Sequence, residues 1–488
     1  MQPYGIHWFR RDLRIAGNSA LKWNWRKTQG KTLGIFFLDS KFLARPDFSH
    51  HRFGFFLQTL KTLKNELKEM GGDLIVLDRP PKEGFEWLFS KLRPKLPAYL
   101  SFNRDYEPFA RERDALIQQS LSDQVQIHTE RDHLVIEPHE LRKEISDNSF
   151  YQVYTPFSKK WFSLLQSEII QERIQIQQEA IQYLEKRAQG QIIPPFFQIT
   201  WSQLLPNDLL QDSLDAYIHQ NKYDLTFEIP QAGSLAAYQK AKSFLLKVDR
   251  YLETRDYPYA QGNSQLSVYL KNGSMTPAIL IKLFELSSVD FKQKTGRSQF
   301  LKELIWREFY YHIIYNRPRV ENESFLPQYK NLRWENREDW FQAWQEGKTG
   351  YPIVDAGMRE LKTTGLMHNR VRMIVASFLT KDLLIDWRWG EKHFMNHLLD
   401  GDLAANNGGW QWAASTGSDP QPYFRIFNPT LQAEKFDPQG HYIRQFLPEL
   451  ETVSTEGIHS LTNYLPPIVD HSTQKQKAIA LYQSHKKR

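Results

Sequence analysis

Residues 400–412 read Asp-Gly-Asp-Leu-Ala-Ala-Asn-Asn-Gly-Gly-Trp-Gln-Trp. Two carboxylates (Asp400, Asp402), two amides (Asn406, Asn407) and two tryptophans (Trp410, Trp412) alternate with the smallest side chains available. Glycine and alanine let a flat ligand lie against backbone. Buried polar groups need partners, and a polar heterocycle would supply them. The plainer alternative is a helix N-cap at Asp400 or Asp402 followed by a loop. Other candidates pair by spacing: Glu303 with Trp306, three apart, and Asn369 with Met373, four apart, each share a helix face. Tyr251 and the run Asn263-Ser264-Gln265-Leu266-Ser267 precede a helix-like stretch. Hydroxyl, amide and N–H groups at a helix start make a phosphate site. Asn103-Arg104-Asp105-Tyr106-Glu107-Pro108 follows a candidate strand, where α/β sheets bind ligands.

The elements that must position these residues change character along the chain. Candidate strands at 5–9, 32–38, 73–77, 99–102 and 125–128 alternate with amphipathic stretches such as 53–70, which ends at Gly71-Gly72. That alternation predicts a parallel sheet with crossover helices over residues 1–130. No GxGxxG follows the first strand, so a dinucleotide fingerprint is missing. From 131 to 205 the periodicity weakens and prolines punctuate it, which predicts a surface connection with a short helix or two around 159–185. Helical stripes fill 206–475, among them 235–252, 276–286, 298–315, 340–344 and 356–363. Val371, Ile374, Val375, Phe378 and Leu379 mark one more, with a further helix over 391–399. Residues 476–488 read as a basic tail.

Composition narrows the classes. The 488 residues contain no cysteine, which excludes disulfides, thiol nucleophiles and cysteine-ligated metals. Lys plus Arg exceeds Asp plus Glu, 63 against 56, a net charge of +7 that permits a polyanionic partner without demanding one. No run approaches the roughly 18 apolar residues of a membrane span. Trp8-Phe9 is followed at once by Arg10-Arg11, unlike a signal peptide, so a soluble cytoplasmic protein is expected.

Four stretches carry a family resemblance: 367–429, 303–310 (Glu-Leu-Ile-Trp-Arg-Glu-Phe-Tyr), 340–365, and Ile6-His7-Trp8-Phe9-Arg10-Arg11-Asp12-Leu13-Arg14. The chain resembles the photolyase/cryptochrome family over nearly its whole length, and within it class I cyclobutane pyrimidine dimer photolyases. The resemblance implies an N-terminal Rossmann-like α/β domain that binds an antenna chromophore, and a C-terminal all-helical domain that binds FAD and DNA. It places the flavin ring by Arg372, Asp400, Asp402 and Asn406, with Asn406 facing the ring's N5. An amide both donates and accepts there, which suits either redox state. It places the FAD pyrophosphate at 263–267, where Asn263 replaces the family's Thr, and adds Tyr251 to the cofactor set. Trp410, Trp387 and Trp334 match an electron relay from the surface to the flavin.

For the substrate, the resemblance implies DNA containing pyrimidine dimers, the lesion being flipped out to reach the flavin. Trp306 and Trp412 would offer stacking faces and Met373 an adaptable wall. Glu303 would hydrogen-bond the dimer and stabilise its radical anion, a role that asks for a raised carboxyl pKa. Arg307, Arg370 and Arg425, with Asn369, complete the DNA set. The related (6-4) photolyases carry histidines where Asn369 and Met373 stand. Arg11, Asp105, Glu107 and Lys271 would hold the antenna, either a deazaflavin (8-HDF) or a folate (MTHF), the Asp-x-Glu-Pro form favouring the former. No metal is expected, and a monomer, nucleoid-associated when bound to DNA, is the simplest assembly. Two rivals remain: a cryptochrome-type blue-light photoreceptor, opposed by Asn406 and the short stretch after 475, and a basic helical protein that stacks single strands on its tryptophans.

Overall fold

The structure is a computed structural model, which describes residues 3–142, 149–210, 212–222, 225–460 and 464–486. β1 (Gly5–Trp8), β2 (Thr32–Leu38), β3 (Leu74–Asp78), β4 (Tyr99–Asn103) and β5 (Gln126–Glu130) form one parallel sheet in the order β3-β2-β1-β4-β5. Ile6 pairs in register with Leu33 on one side and Leu100 on the other. β1 and β2 are buried along their whole length, as central parallel strands covered on both faces must be. Helices Ser19–Lys27, His50–Glu69, Pro81–Leu92 and Pro108–Leu121 make the crossovers. The winding reverses between β1 and β4, so the loops at 9–14 and 104–107 leave the sheet side by side.

Beyond residue 130 the described residues are helical, and two expectations need correction. The expected surface connection folds into three helices, Tyr154–Leu165, Glu168–Gln175 and Gln177–Ala188. Phe157, Trp161, Ile170, Ile174 and Leu184 share one core with Ile279, Leu301, Ile305 and Phe309. The stripe is present, but each change of direction resets its phase, so no long period survives to be read. The expected tail is likewise a helix, His471–Lys486. Its Tyr482 is fully buried with the hydroxyl donating to Ala414 O, and Gln474 Nε2 donates to Asp382 O at 2.6 Å. Two apolar residues one turn apart, Ala478 and Tyr482, carry the docking amid a polar, basic sequence.

A second core lies under the C-terminal helices, built on Val371, Ile374, Val375, Phe378, Trp387 and Trp410. The Asn369–Ser377 helix ends in a widened turn, where Leu383 N–H reaches back to Phe378 O at 3.0 Å. No helix among the described residues is long and apolar enough to cross a membrane.

The segment after β5 is tied to the Gly296–Asn316 helix through Glu308. Its carboxylate accepts from Val135 N–H at 2.6 Å, Ile136 N–H at 3.3 Å and Trp161 Nε1 at 2.5 Å. Burial pushes the carboxyl up to about 7, against the pull of those donors. Glu308→Leu would orphan three buried N–H groups, so a loss of roughly 3 kcal/mol in stability is expected, measured as the fall in thermal midpoint against wild type.

Candidate functional site

The Leu403–Ala413 helix carries most of the chemistry. Asp402 is its N-cap, one oxygen accepting from Ala405 N–H at 3.2 Å. The other oxygen receives the Tyr311 hydroxyl at 2.5 Å and the Arg11 guanidinium at 2.8 Å. Burial alone would raise the Asp402 carboxyl, but Lys271 and Arg11 hold it well below the usual carboxylate range. Asp400, also buried, is forked by Arg372 Nη2 at 3.1 and 3.0 Å, while Arg372 Nε donates to Met367 O at 2.8 Å. One turn into the helix, Asn406 Nδ2 donates to the Glu391 carbonyl at 3.0 Å. Burial pushes the Glu391 carboxyl up to about 8. A Cβ on Gly408 would lie 2.0 Å from the Tyr310 ring, so only glycine permits that close approach. A Cβ on Gly409 would meet nothing within 4 Å. Asn406 and Gly409, three apart, therefore give one helix face a polar group and an open space.

The residues expected to serve an antenna converge on the same carboxylate. Arg11 lies 2.7 Å from Glu107, 3.7 Å from Asp105 and 2.8 Å from Asp402. Lys271 lies 3.7 Å from Glu107 and 3.8 Å from Asp402. Burial works against the Arg11 charge, yet Tyr311, Asp105, Glu107 and Asp402 outweigh it and raise its pKa well above the ordinary value. Asp105 also borders a cleft of about 610 Å³ between the sheet and the helical half, with Arg104, Tyr106, Arg111, Glu137 and Tyr315.

The expected phosphate segment leads into the short Ser267–Asn272 helix. Ser264 Oγ accepts from Leu266 N–H at 3.3 Å, Gln265 takes a left-handed backbone (φ 54°), and Gln265 and Ser267 are exposed beside half-buried Asn263. Leu266 is buried in the core. Tyr251 packs against Phe244 and Phe300, with Arg255 5.5 Å above its ring.

Arg255, which the sequence did not single out, joins the residues expected to meet the substrate. It forms an ion pair with Glu303 and lies 3.7 Å from Asp256, which in turn takes Arg370 at 2.8 Å. Gln299 Nε2 also donates to Glu303 at 2.7 Å. This chain links Glu303 to the N-terminal turn of the Asn369–Ser377 helix, where Asn369 Nδ2 sits 3.8 Å from Met373 Sδ. Trp306 stacks on Tyr154 at 3.6 Å and 3°. Tyr154 N–H donates to Asp419 at 3.0 Å, in the loop after Trp412, whose carbonyl accepts from Gln421 N–H at 3.3 Å. Arg425 is exposed at the end of that loop. Arg307 points elsewhere: it donates to His133 O at 2.7 Å and lies over the Tyr311 ring. Tyr154 comes from the weakly periodic segment and bore no sequence signal, whereas Arg255 stands one turn after Tyr251 and was open to a helical-spacing argument.

Of the relay candidates, Trp410 and Trp387 are buried and Trp334 is half-buried, edge-on to Tyr482 at 6.3 Å. Trp410 reaches Gly390, one turn after Trp387, where a Cβ would lie 2.1 Å from its ring. Trp344, also buried, meets Trp410 at 6.1 Å.

Comparison with known proteins agrees along the whole chain. Residues 5–175 match the family model described as DNA photolyase, and residues 300–484 the FAD binding domain of DNA photolyase. A deoxyribodipyrimidine photo-lyase of Vibrio cholerae is 37% identical over 98% of this chain and 99% of its own. That of Escherichia coli is 35% identical over 98% of both. Among solved structures, a bacterial class III photolyase from Agrobacterium tumefaciens superposes with a TM-score of 0.83 at 32% identity, covering 100% of this chain and 98% of that one.

The pairing on Asp402 is testable. Its folded pKa is depressed, so its stabilisation is complete above the unfolded carboxylate value near about 4 and shrinks as pH falls below it. Asp402→Asn keeps a cap for Ala405 but removes the charge that Arg11 and Lys271 share, leaving both cations to Glu107. A loss of about 3 kcal/mol at pH 7 that narrows below about pH 4 is expected in thermal unfolding across pH.

Proposed function

Because this chain belongs to the DNA photolyase family and takes FAD as its cofactor, we propose that it repairs DNA by splitting cyclobutane pyrimidine dimers with light. The observation that carries this reading is one helix–helix interface. Glu303, Trp306 and Tyr310 occupy successive turns of the Gly296–Asn316 helix, and Tyr310 packs directly on Gly408 in the helix of Asp402 and Asn406. Lesion-facing and cofactor-facing groups thus share a boundary.

The wall suits FAD. Asp400 with Arg372 offers a buried charge pair, Asn406 an amide, and Gly409 the space a side chain would fill. Held by Arg372, Asp400, Asp402 and Asn406, FAD would supply light-driven one-electron chemistry to the dimer. The remaining work belongs to the protein. Arg370, Arg425 and Arg255 neutralise backbone phosphates and fix the register of the strand. Trp306, backed by Tyr154, and Trp412 stack the flipped bases, at about 1–3 kcal/mol per base. Glu303 hydrogen-bonds the dimer, and Met373 fills the irregular remainder. Asn369 and Met373, in place of histidines, favour cyclobutane dimers over (6-4) products. Trp410, Trp387 and Trp334 would pass electrons inward to the cofactor, with an external reductant restoring Trp334. Asp105, Arg11, Glu107 and Lys271 would hold an antenna, a deazaflavin or a folate. The protein acts as a monomer on nucleoid DNA in the cytoplasm.

Purified protein given a dimer-containing oligonucleotide under blue light should restore the absorbance of intact thymines. Glu303→Gln should lower repair per absorbed photon several-fold while dimer binding is retained. Binding of the dimer with no light-dependent turnover would instead identify a photoreceptor.

A further inference from the structure

Arg52 lies in the first turn of the His50–Glu69 helix, the crossover between β2 and β3, more than 300 residues from the flavin-facing helix that begins at Leu403. Its guanidinium donates to backbone carbonyls. Nη1 reaches Leu398 O at 3.0 Å and also Met395 O, and Nη2 reaches Asp47 O at 2.9 Å. Met395 belongs to the last turn of the Trp387–His397 helix and Leu398 is its C-cap. Carbonyls there lack intrahelical donors and carry the negative end of the helix dipole, so a cation is their natural partner. Burial lowers the Arg52 guanidinium only to about 10, which leaves it charged at neutral pH.

The contact matters because it anchors the turn leading from Leu398 into the site. The same carbonyl accepts Gly401 N–H at 3.3 Å, closing a tight turn that delivers Asp400 to Arg372 and Asp402 to its capping position. A Cβ on Gly401 would sit 2.5 Å from Arg52 Nη1 and 3.3 Å from Leu398 O. Arg52 therefore fills the space that glycine leaves, and grips the turn from outside while Arg372 and Arg11 hold its two carboxylates.

We infer that the α/β domain is a structural half of the flavin site, with Arg52 as a positioning residue that fixes the 398–402 turn and so presents Asp400 and Asp402 to the cofactor. This rests on the reading of Asp400 and Asp402 as flavin-facing. The chemistry remains with the groups on the turn, and Arg52 acts only through them.

The test uses the FAD-loaded protein in the dark, reading the rate of FAD release by fluorescence, the visible circular dichroism of the bound flavin, and the thermal midpoint. Arg52→Met and Gly401→Ala approach one contact from opposite sides. Each should speed FAD release about tenfold and alter the flavin dichroism, as loss of outer support does at other cofactor sites. Arg52→Lys, which keeps the charge but not the fork, should fall between them and wild type. Arg187→Met is the control, since Arg187 pairs with Glu69 at 2.8 Å at the far end of the same Arg52 helix and touches nothing in the turn. The inference is overturned if Arg52→Met and Gly401→Ala release FAD no faster than Arg187→Met, or leave the dichroism unchanged. Asp400→Asn separates the two roles: if it alone alters FAD retention, the flavin assignment stands and the role of Arg52 falls. If it has no effect, the assignment falls and the inference with it.

Discussion

The carboxylate of Asp402 is buried where the two halves of the molecule meet, and an unpaired charge there would cost several kcal/mol. Arg11 from the sheet, Lys271 from a short helix and Tyr311 from the longest helix all converge on it. Because Asp402 and these three partners come from four separate stretches of chain, one charge requirement fixes the relative placement of the sheet, the Gly296–Asn316 helix and the Leu403–Ala413 helix. The backbone supports the same arrangement at Gly273, where a Cβ would lie 1.9 Å from Arg11 O.

The far end of the Leu403–Ala413 helix is held as firmly. Ala414 O accepts from the Tyr482 hydroxyl and from Lys381 Nζ at 3.3 Å, and Lys381 also reaches Ser415 Oγ at 2.9 Å. Amine and hydroxyl donors at a helix C-terminus satisfy carbonyls that would otherwise be orphaned in the core. A helix fixed at both termini by distant residues has little freedom to rotate, and rotation would misdirect Asn406, Trp410 and Trp412 together.

The sheet was legible in the sequence because parallel strands buried on both faces are uninterrupted apolar runs, and 32–38 and 74–78 are such runs. The helices at 296–316 and 352–364 were legible from their stripes. The 154–188 helices were not, since three short elements at changing angles share one core without sharing one period. In the site, the side chains on single helices could be read from spacing, and the family resemblance supplied their roles. What spacing could not reveal is pairing between remote segments: Arg255 with Glu303, Tyr154 beneath Trp306, or the meeting of Arg11, Glu107 and Lys271 with Asp402. Those depend on which faces meet, and local periodicity carries no information about that.

The ion pair between Arg255 and Glu303 sets a condition on substrate entry. Glu303 is already engaged by Arg255 and Gln299, and Arg255 is shared with Asp256, which also holds Arg370. A flipped lesion that uses Glu303 must displace at least one of these donors, and a donor displaced into a half-buried rim without a new acceptor would be costly. Under the proposed function the DNA backbone would supply that acceptor, since the phosphates flanking an extruded dimer would bring negative charge to the rim where Arg255 and Arg370 lie. Exchange of a carboxylate for a phosphate on Arg255 leaves both charges paired, so lesion entry and phosphate docking favour one another. Undamaged duplex, which offers phosphates but no extruded base to engage Glu303, would gain only half of that exchange. On that reading, discrimination for damage would arise at the same residues that grip the backbone.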